Sequence, residues 1–153
     1  MRVAIVSGKA EGPTKLNSFD NALIEAGIGD VNLIKVSSML EKNTSLELLP
    51  KLKVGAMVNC VLATITSDNA GDLISSTIAI AIGNDLGCVV ENSAINKSPE
   101  EVKKDAEAMV KYMMDKRDEN INELIIEEVN HTVEEIGTVV ASLVYLNDEI
   151  IAI

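Results

Sequence analysis

Aromatic side chains are almost absent: no tryptophan, two tyrosines and one phenylalanine in 153 residues. A core of ordinary size must therefore be built from Ile, Val, Leu, Ala and Met, which suits sheets covered on both faces. Histidine is nearly absent too. Ser-His or Cys-His pairs and histidine-rich metal sites can form only around His131, and its place in the polar run "EEVNHTVEE" reads as structural. Cys60 and Cys88 lie in separate apolar segments without C-x-x-C spacing, so they read as buried thiols of a reducing cytoplasm. No P-loop, G-x-G-x-x-G or G-x-S-x-G is present, and "GKAEGPTK" lacks the Gly-Lys-Ser/Thr ending of a phosphate loop. Asp68 and Asp72 lack the ligand spacing of a calcium loop, and no metal site is expected. The opening "MRVAIVSGKAEG" has four apolar residues before Ser7, too few for the apolar region of a signal peptide. No run approaches the length of a membrane span.

Positive charge is scarce as well. Thirteen Lys and Arg against twenty-four Asp and Glu leave a formal net charge of −11. Such a surface repels nucleic acid and anionic membranes and mildly favours a cationic ligand.

What the chain does contain is a series of apolar runs within one domain's length. Residues 2–7 read as a strand and "GKAEGPT" as a loop. In "KLNSFDNALIEAGIGD", Leu16, Phe19, Leu23 and Ile24 recur at helical spacing, and Gly27 and Gly29 supply the stop. Asp20 lies four residues from both Leu16 and Ile24, so it falls on or beside that apolar stripe. Residues 31–38 read as a second strand, with Asn32, Ile34, Val36 and Ser38 on one face and Lys35 and Ser37 on the other.

Further strands are predicted in "VGAMVNCVLATIT", "LISSTIAIAI" and "LGCVVENSAI", where Glu91 ends an apolar run. Ser98-Pro99-Glu100-Glu101 is a helix start, with an N-cap serine followed by proline. Val102, Ala106, Met109 and Met113 form the expected apolar stripe of that helix. "ELIIEEVNHTV" and "GTVVASLVYL" read as two closing strands joined by a turn at Glu134-Glu135-Ile136-Gly137. About seven strands and two helices, with several strands consecutive, predict an α+β domain spanning residues 1–153.

The adjacent serines Ser37 and Ser38 at a strand end would by themselves be a turn. The residues before them change that reading. The segment "LNSFDNALIEAGIGDVNLIKVSS", residues 16–38, resembles the self-processing region of the pyruvoyl-dependent arginine decarboxylases. The likeness continues through "VGAMV", "ITSD", "AGDLISSTIAIAI", the strand carrying Glu91, and "HTVEEIG". It implies a four-layer αββα sandwich, cleaved by itself between Ser37 and Ser38 into residues 1–37 and 38–153. Ser38 would become a covalently bound pyruvoyl group, with no pyridoxal phosphate and no metal. The activity implied is decarboxylation of L-arginine to agmatine and carbon dioxide, a step towards polyamines. The pyruvoyl ketone would serve as the electron sink.

The same resemblance assigns roles. Asn32 would assist processing, where an amide N–H aimed at a developing oxyanion is the physically sensible part. Glu91 would donate the proton that replaces carbon dioxide, a task for which desolvation suits a carboxyl group. Asp20 would receive the guanidinium of the substrate while Leu16 packs on its stem, and Gly29 and Val31 would complete the substrate site. The implied assembly is a homotrimer, or a multiple of one, with sites between subunits, in the cytoplasm and without nucleic-acid or membrane partners. Two departures stand out: Met39-Leu40-Glu41 replaces the proline common shortly after the reactive serine, and Asn92-Ser93-Ala94 follows Glu91 in place of an aromatic and glycine. Neither removes a reacting group.

Two alternatives share these residues. One is decarboxylation of another amino acid, although Asp20 disfavours anionic substrates. The other is an unprocessed oligomeric binding protein of the same fold. Strand geometry adds a constraint, because six extended residues separate Asn32 from Ser38 by ~20 Å. Either the strand bends sharply, or the Asn32 that serves a given Ser38 comes from a neighbouring subunit.

Overall fold

The computed structural model describes residues 1–153. Arg2–Glu11 form β1, and Lys15–Glu25 form α1. The strands β2 (Asn32–Lys35), β3 (Met39–Glu41) and β4 (Ser45–Glu47) are short, whereas β5 (Met57–Ser67), β6 (Leu73–Ile82) and β7 (Leu86–Ile95) are long. Helix α2 (Pro99–Lys116) follows, and β8 (Glu123–Thr132) and β9 (Gly137–Leu146) close the chain. Strands are ordered β2-β5-β9-β1-β4 in a five-stranded sheet and β3-β7-β6-β8 in a four-stranded one. The α+β expectation holds, with nine strands in place of about seven.

Alternation along the strands sorts the core. On β5, Cys60 and Leu62 join α1's Ala22, Leu23 and Ala26, while Val61 and Ala63 face Ile78, Ile80 and Val89 of the other sheet. On β6 and β7, Ala79, Ala81, Cys88 and Val90 meet Ala106, Val110 and Met114 of α2. Each sheet thus packs on the other with one face and on one helix with its opposite face, so period-two sequences that are apolar at every position can be buried throughout.

Four differences from the sequence reading have physical causes. β1 runs to Glu11 because all of it pairs antiparallel with β9, from Arg2↔Leu146 to Glu11↔Gly137. Gly8, which looked like a loop signal, sits where α1 crosses: an added Cβ would lie 2.3 Å from the carbonyl oxygen of Ala22. Second, the expected strand 31–38 keeps its ladder only from Asn32 to Lys35, parallel to Met57–Cys60 of β5. Third, β3 and β4 are three-residue edge strands in a polar stretch, too short and too polar for a periodic signal. Finally, the buried stripe of α2 is Val102, Ala106, Val110 and Met114, and Met109 is exposed. Spacing alone did not fix the rotation of that helix, because Met109 and Met113 offer a second apolar stripe beside Val110 and Met114.

Helix α1 is capped as its sequence requires. The Thr14 hydroxyl accepts from the Asn17 N–H at 3.0 Å. Gly27, at φ +84°, turns the chain, and the N–H of Ile28 reaches the Leu23 carbonyl at 3.0 Å, a Schellman ending. That ending delivers the chain to Gly29 and β2.

Candidate active site

The chain changes sheets at the two serines. The Val36 N–H still donates to the Cys60 carbonyl of the first sheet at 3.0 Å, while the Ser38 carbonyl accepts from the Val89 N–H of the second at 2.9 Å. Three residues therefore bridge two edges, and the Ser37–Ser38 peptide belongs to no ladder. β3 then pairs Met39↔Cys88 and Leu40↔Gly87, which sets Ser38 opposite Val89 and two residues from Glu91 along β7. Val36 and Leu40 pack between the sheets; between them Ser38 is half-buried and Ser37 exposed. Met39 has its sulfur 3.9 Å from the Cys88 thiol, which lies under α2.

Around this crossing is an open cleft of about 560 Å³ that holds Ser37, Ser38 and Glu91 together with Lys35, Arg117 and apolar residues of β3, β7 and α2. Ser37 also lines a second recess of about 340 Å³, with Asn59 and Tyr145. The Tyr145 hydroxyl donates to the Met39 carbonyl at 3.0 Å and anchors the chain just after the serines. Burial pushes the phenol of Tyr145 and the thiols of Cys60 and Cys88 upwards. The thiols accordingly stay protonated, which leaves the serine hydroxyls as the nucleophiles nearest the crossing.

Asn32, Gly29, Val31, Asp20 and Leu16 are not in this cleft. Asn32 is exposed at the Met57 end of β2, where its side-chain N–H donates to the Gly55 carbonyl at 3.1 Å. Gly29 and Val31 line a smaller recess of about 180 Å³ with Ile24, Asp30 and Val54. Gly29 is obligatory there, since a Cβ would lie 2.8 Å from the Cα of Ile24. Asp20 departs from expectation. The buried face of α1 is Ser18, Ala22 and Leu23, whereas Leu16 and Ile24 are 74% and 56% exposed. Asp20 thus belongs to an outward strip Leu16–Asp20–Ile24, not to the core stripe. Glu91 also differs, being exposed in the single chain, where the apolar run before it suggested a desolvated carboxyl.

His131 is elsewhere. Its Nε2 is 2.7 Å from Oε2 of Glu11, whose other oxygen accepts from the N–H groups of Glu135 and Ile136 at 2.8 and 3.1 Å. This clasp ties the β8–β9 turn to the end of β1. Burial would push the Glu11 carboxyl up, yet the N–H groups of Glu135 and Glu134 and the His131 ring outweigh it and hold the group below the usual range.

Lys35 and Arg117 in the cleft and Tyr145 in the neighbouring recess are the residues around the serines that the sequence reading did not single out. Tyr145 is distant in the chain, and a lone basic residue carries no motif.

The family model for pyruvoyl-dependent arginine decarboxylase matches residues 2–150. The chain belongs to that family. It is 58% identical over 147 residues to the pyruvoyl-dependent arginine decarboxylase of Methanothermobacter thermautotrophicus, an alignment covering 96% of this chain and 97% of the relative. The enzyme of the same name from Methanocaldococcus jannaschii is 38% identical over 143 residues, covering 92% and 86%. That of Pyrococcus furiosus is 40% identical over 118 residues, covering 74% and 72%. Membership implies a covalently bound pyruvoyl cofactor and no pyridoxal phosphate.

Proposed function

We propose that this chain cleaves itself between Ser37 and Ser38 and that the product, residues 1–37 with 38–153, decarboxylates L-arginine to agmatine. The observation that carries this reading is the single cleft holding Ser37, Ser38 and Glu91 at the point where the backbone leaves one sheet for the other. A scissile peptide in a ladder would have its carbonyl and N–H engaged. This one is flanked by ladders and free of them.

The residues suit a pyruvoyl group. Ser38 supplies the β-oxygen that cleavage requires, and Val36, Met39, Val89 and Val90 give an apolar surround. When formed, that group supplies an electron sink for loss of carbon dioxide without pyridoxal phosphate. The chain's own side chains do the rest. Glu91 delivers a proton to the substrate's α-carbon, and Asp20 binds the guanidinium on the strip it shares with Leu16. Gly29 and Val31 shape the recess beneath that strip, and Asn32 donates an N–H during cleavage.

Within the protomer these groups do not share a cleft, since Ser38 and Glu91 lie at the β3–β7 edge whereas Asn32 lies at the start of β2 and Asp20 on the outer side of α1. We read the assembly as a trimer, or a multiple of one, in which each site takes its cleft from one protomer and its Asp20 strip from the next. Such an arrangement would cover both the exposed apolar residues of α1 and the exposed carboxyl of Glu91. We read the layers α1, first sheet, second sheet and α2 as the αββα sandwich, and the two reduced, buried cysteines suit the cytoplasm. No helix is long and apolar enough to cross a membrane.

Denaturing mass spectrometry tests the reading. Wild type is expected as two fragments, the larger with a ketone-bearing N-terminus, and Ser38→Ala as one intact chain. Arginine should yield agmatine without added pyridoxal phosphate. An intact wild-type chain that makes no agmatine would overturn it.

A further inference from the structure

The chain has two arginines, and they are used differently. Arg2 is held by Glu47 and Asp148 at 2.6 and 3.1 Å. Arg117, at the end of α2, donates only to the Met113 carbonyl at 3.0 Å and makes no ion pair, although the chain has twenty-four carboxylates. It lines the cleft of the two serines, as does Lys35, which is also without an ion pair. Two cations without ion pairs line one cleft where a strongly acidic protein shows only Glu91 as an anion.

We propose that Arg117, assisted by Lys35, is the electrostatic partner of the carboxylate that cleavage creates on Ser37. This rests on the cleavage proposed above and adds a residue to it. The chemistry requires such an anion. Oγ of Ser38 bonds to the Ser37 carbonyl carbon, the amide C–N bond breaks, and the nitrogen takes up a proton, leaving an ester. The α-proton of residue 38 then departs and its Cβ–Oγ bond breaks, with the electron pair leaving on the Ser37 carboxylate. The dehydroalanine left at residue 38 tautomerises, adds water and loses ammonia to become the ketone, so no external oxidant or reductant is consumed. The leaving group is an anion formed beside Glu91, in a chain whose formal charge is already −11.

The cleft puts the cation within reach of the exposed serine. Val36 and Leu40 face the space between the sheets, and Ser38 between them is half-buried, whereas Ser37 is exposed. Met39, which lines the same cleft as Ser37, touches Cys88 beneath α2, the helix capped by Arg117. A planar guanidinium pairs with both oxygens of a carboxylate, and a cation placed where charge develops favours the bond-breaking step more than the uncleaved peptide. Arg117 therefore acts on the ester, after Oγ attack and before the ketone exists.

The test follows cleavage of the full-length chain made by cell-free synthesis, sampled over time with and without hydroxylamine under denaturing conditions. Hydroxylamine splits the ester and leaves residues 1–37 as a hydroxamate, distinguishable by mass from the free carboxylate. For Arg117→Gln the expectation is roughly fivefold slower release of residues 1–37, with the hydroxylamine-sensitive chain accumulating and Arg117→Lys restoring most of the rate. Arg117→Gln cleaving at the wild-type rate without ester accumulation overturns the assignment. So does slowing that accumulates no ester and that Arg117→Lys fails to rescue, which marks a damaged fold. A wild-type chain that never divides overturns the cleavage itself, a result readable apart from any Arg117 variant.

Discussion

The edge where the chain changes sheets and the outward strip of α1 carry the same kind of residues, polar groups beside apolar ones, yet they are built differently. At the edge, backbone geometry does the work: the Ser37–Ser38 peptide is released from both sheets within three residues and pinned on either side by hydrogen bonds at 3.0 and 2.9 Å. On α1 the backbone is an ordinary capped helix, and only side-chain placement distinguishes Asp20, framed by Leu16 and Ile24 one turn away on either side. A reacting bond needs a strained or unpartnered backbone, which comes from topology. A binding surface needs only spacing on a rigid element.

The sharpest way to break that comparison is to separate the halves genetically. Asn32→Ala and Ser38→Ala chains, each expressed alone, should remain uncleaved. Expressed together, the Asn32→Ala chain should divide, because its intact Ser38 can be served by Asn32 of a Ser38→Ala neighbour. Mass spectrometry of the mixture checks this, and an Asn32→Ala chain that stays intact in it would confine both residues to one protomer.

Glu91→Gln should leave cleavage unchanged while lowering kcat by about 10²-fold, the usual worth of a positioned general acid. Normal turnover with arginine would remove the proton-donor assignment. Asp20→Asn acts on the other half: cleavage should be complete and kcat/KM for arginine should fall roughly tenfold to a hundredfold, the cost of losing one charge-assisted hydrogen-bonded pair. A fall in cleavage in place of affinity would show that the two halves are not separable.

The smallest effect lies outside both. Glu11 in the His131 clasp has a carboxyl held below the usual range, so the native chain binds fewer protons there than the unfolded one. Its stabilisation is complete above the ordinary glutamate range of ~4.3 and fades as pH falls through the lower native value. Denaturant titrations should show Glu11→Gln less stable than wild type by about 1–2 kcal/mol at pH 7. The gap should narrow in acid, with cleavage unaffected throughout. A gap that persists unchanged to low pH would mean that the charge of Glu11 is not what the clasp uses.

Much of the fold was legible. The Ser98-Pro99 start of α2, the glycine stop of α1 and the long apolar strands are local signals, and the structure reproduces them. The rotation of α2 was misjudged because Met109 and Met113 offered a stripe as apolar as the Val110–Met114 one. Gly8 was misread because glycine marks a loop and a close helix crossing equally well. At the site, Ser37, Ser38, Asn32, Asp20 and Glu91 could be named from one uninterrupted segment and one strand end. Which of them share a cleft could not, since that depends on β3 pairing with β7 and β2 with β5, contacts between residues some fifty and twenty-five positions apart.

The sequence by itself determined that the chain is an α+β protein with an aliphatic core and that its charge favours a cationic ligand. Those follow from composition, period and functional-group chemistry, which are properties of residues and near neighbours. Only the tertiary structure decided that the serine pair is a crossing between sheets, that Asp20 points outward, and that Arg117 and Lys35 line the same cleft as Ser37 without ion pairs. Each of these depends on which strands pair and on which face of an element is left uncovered, and no local pattern records that.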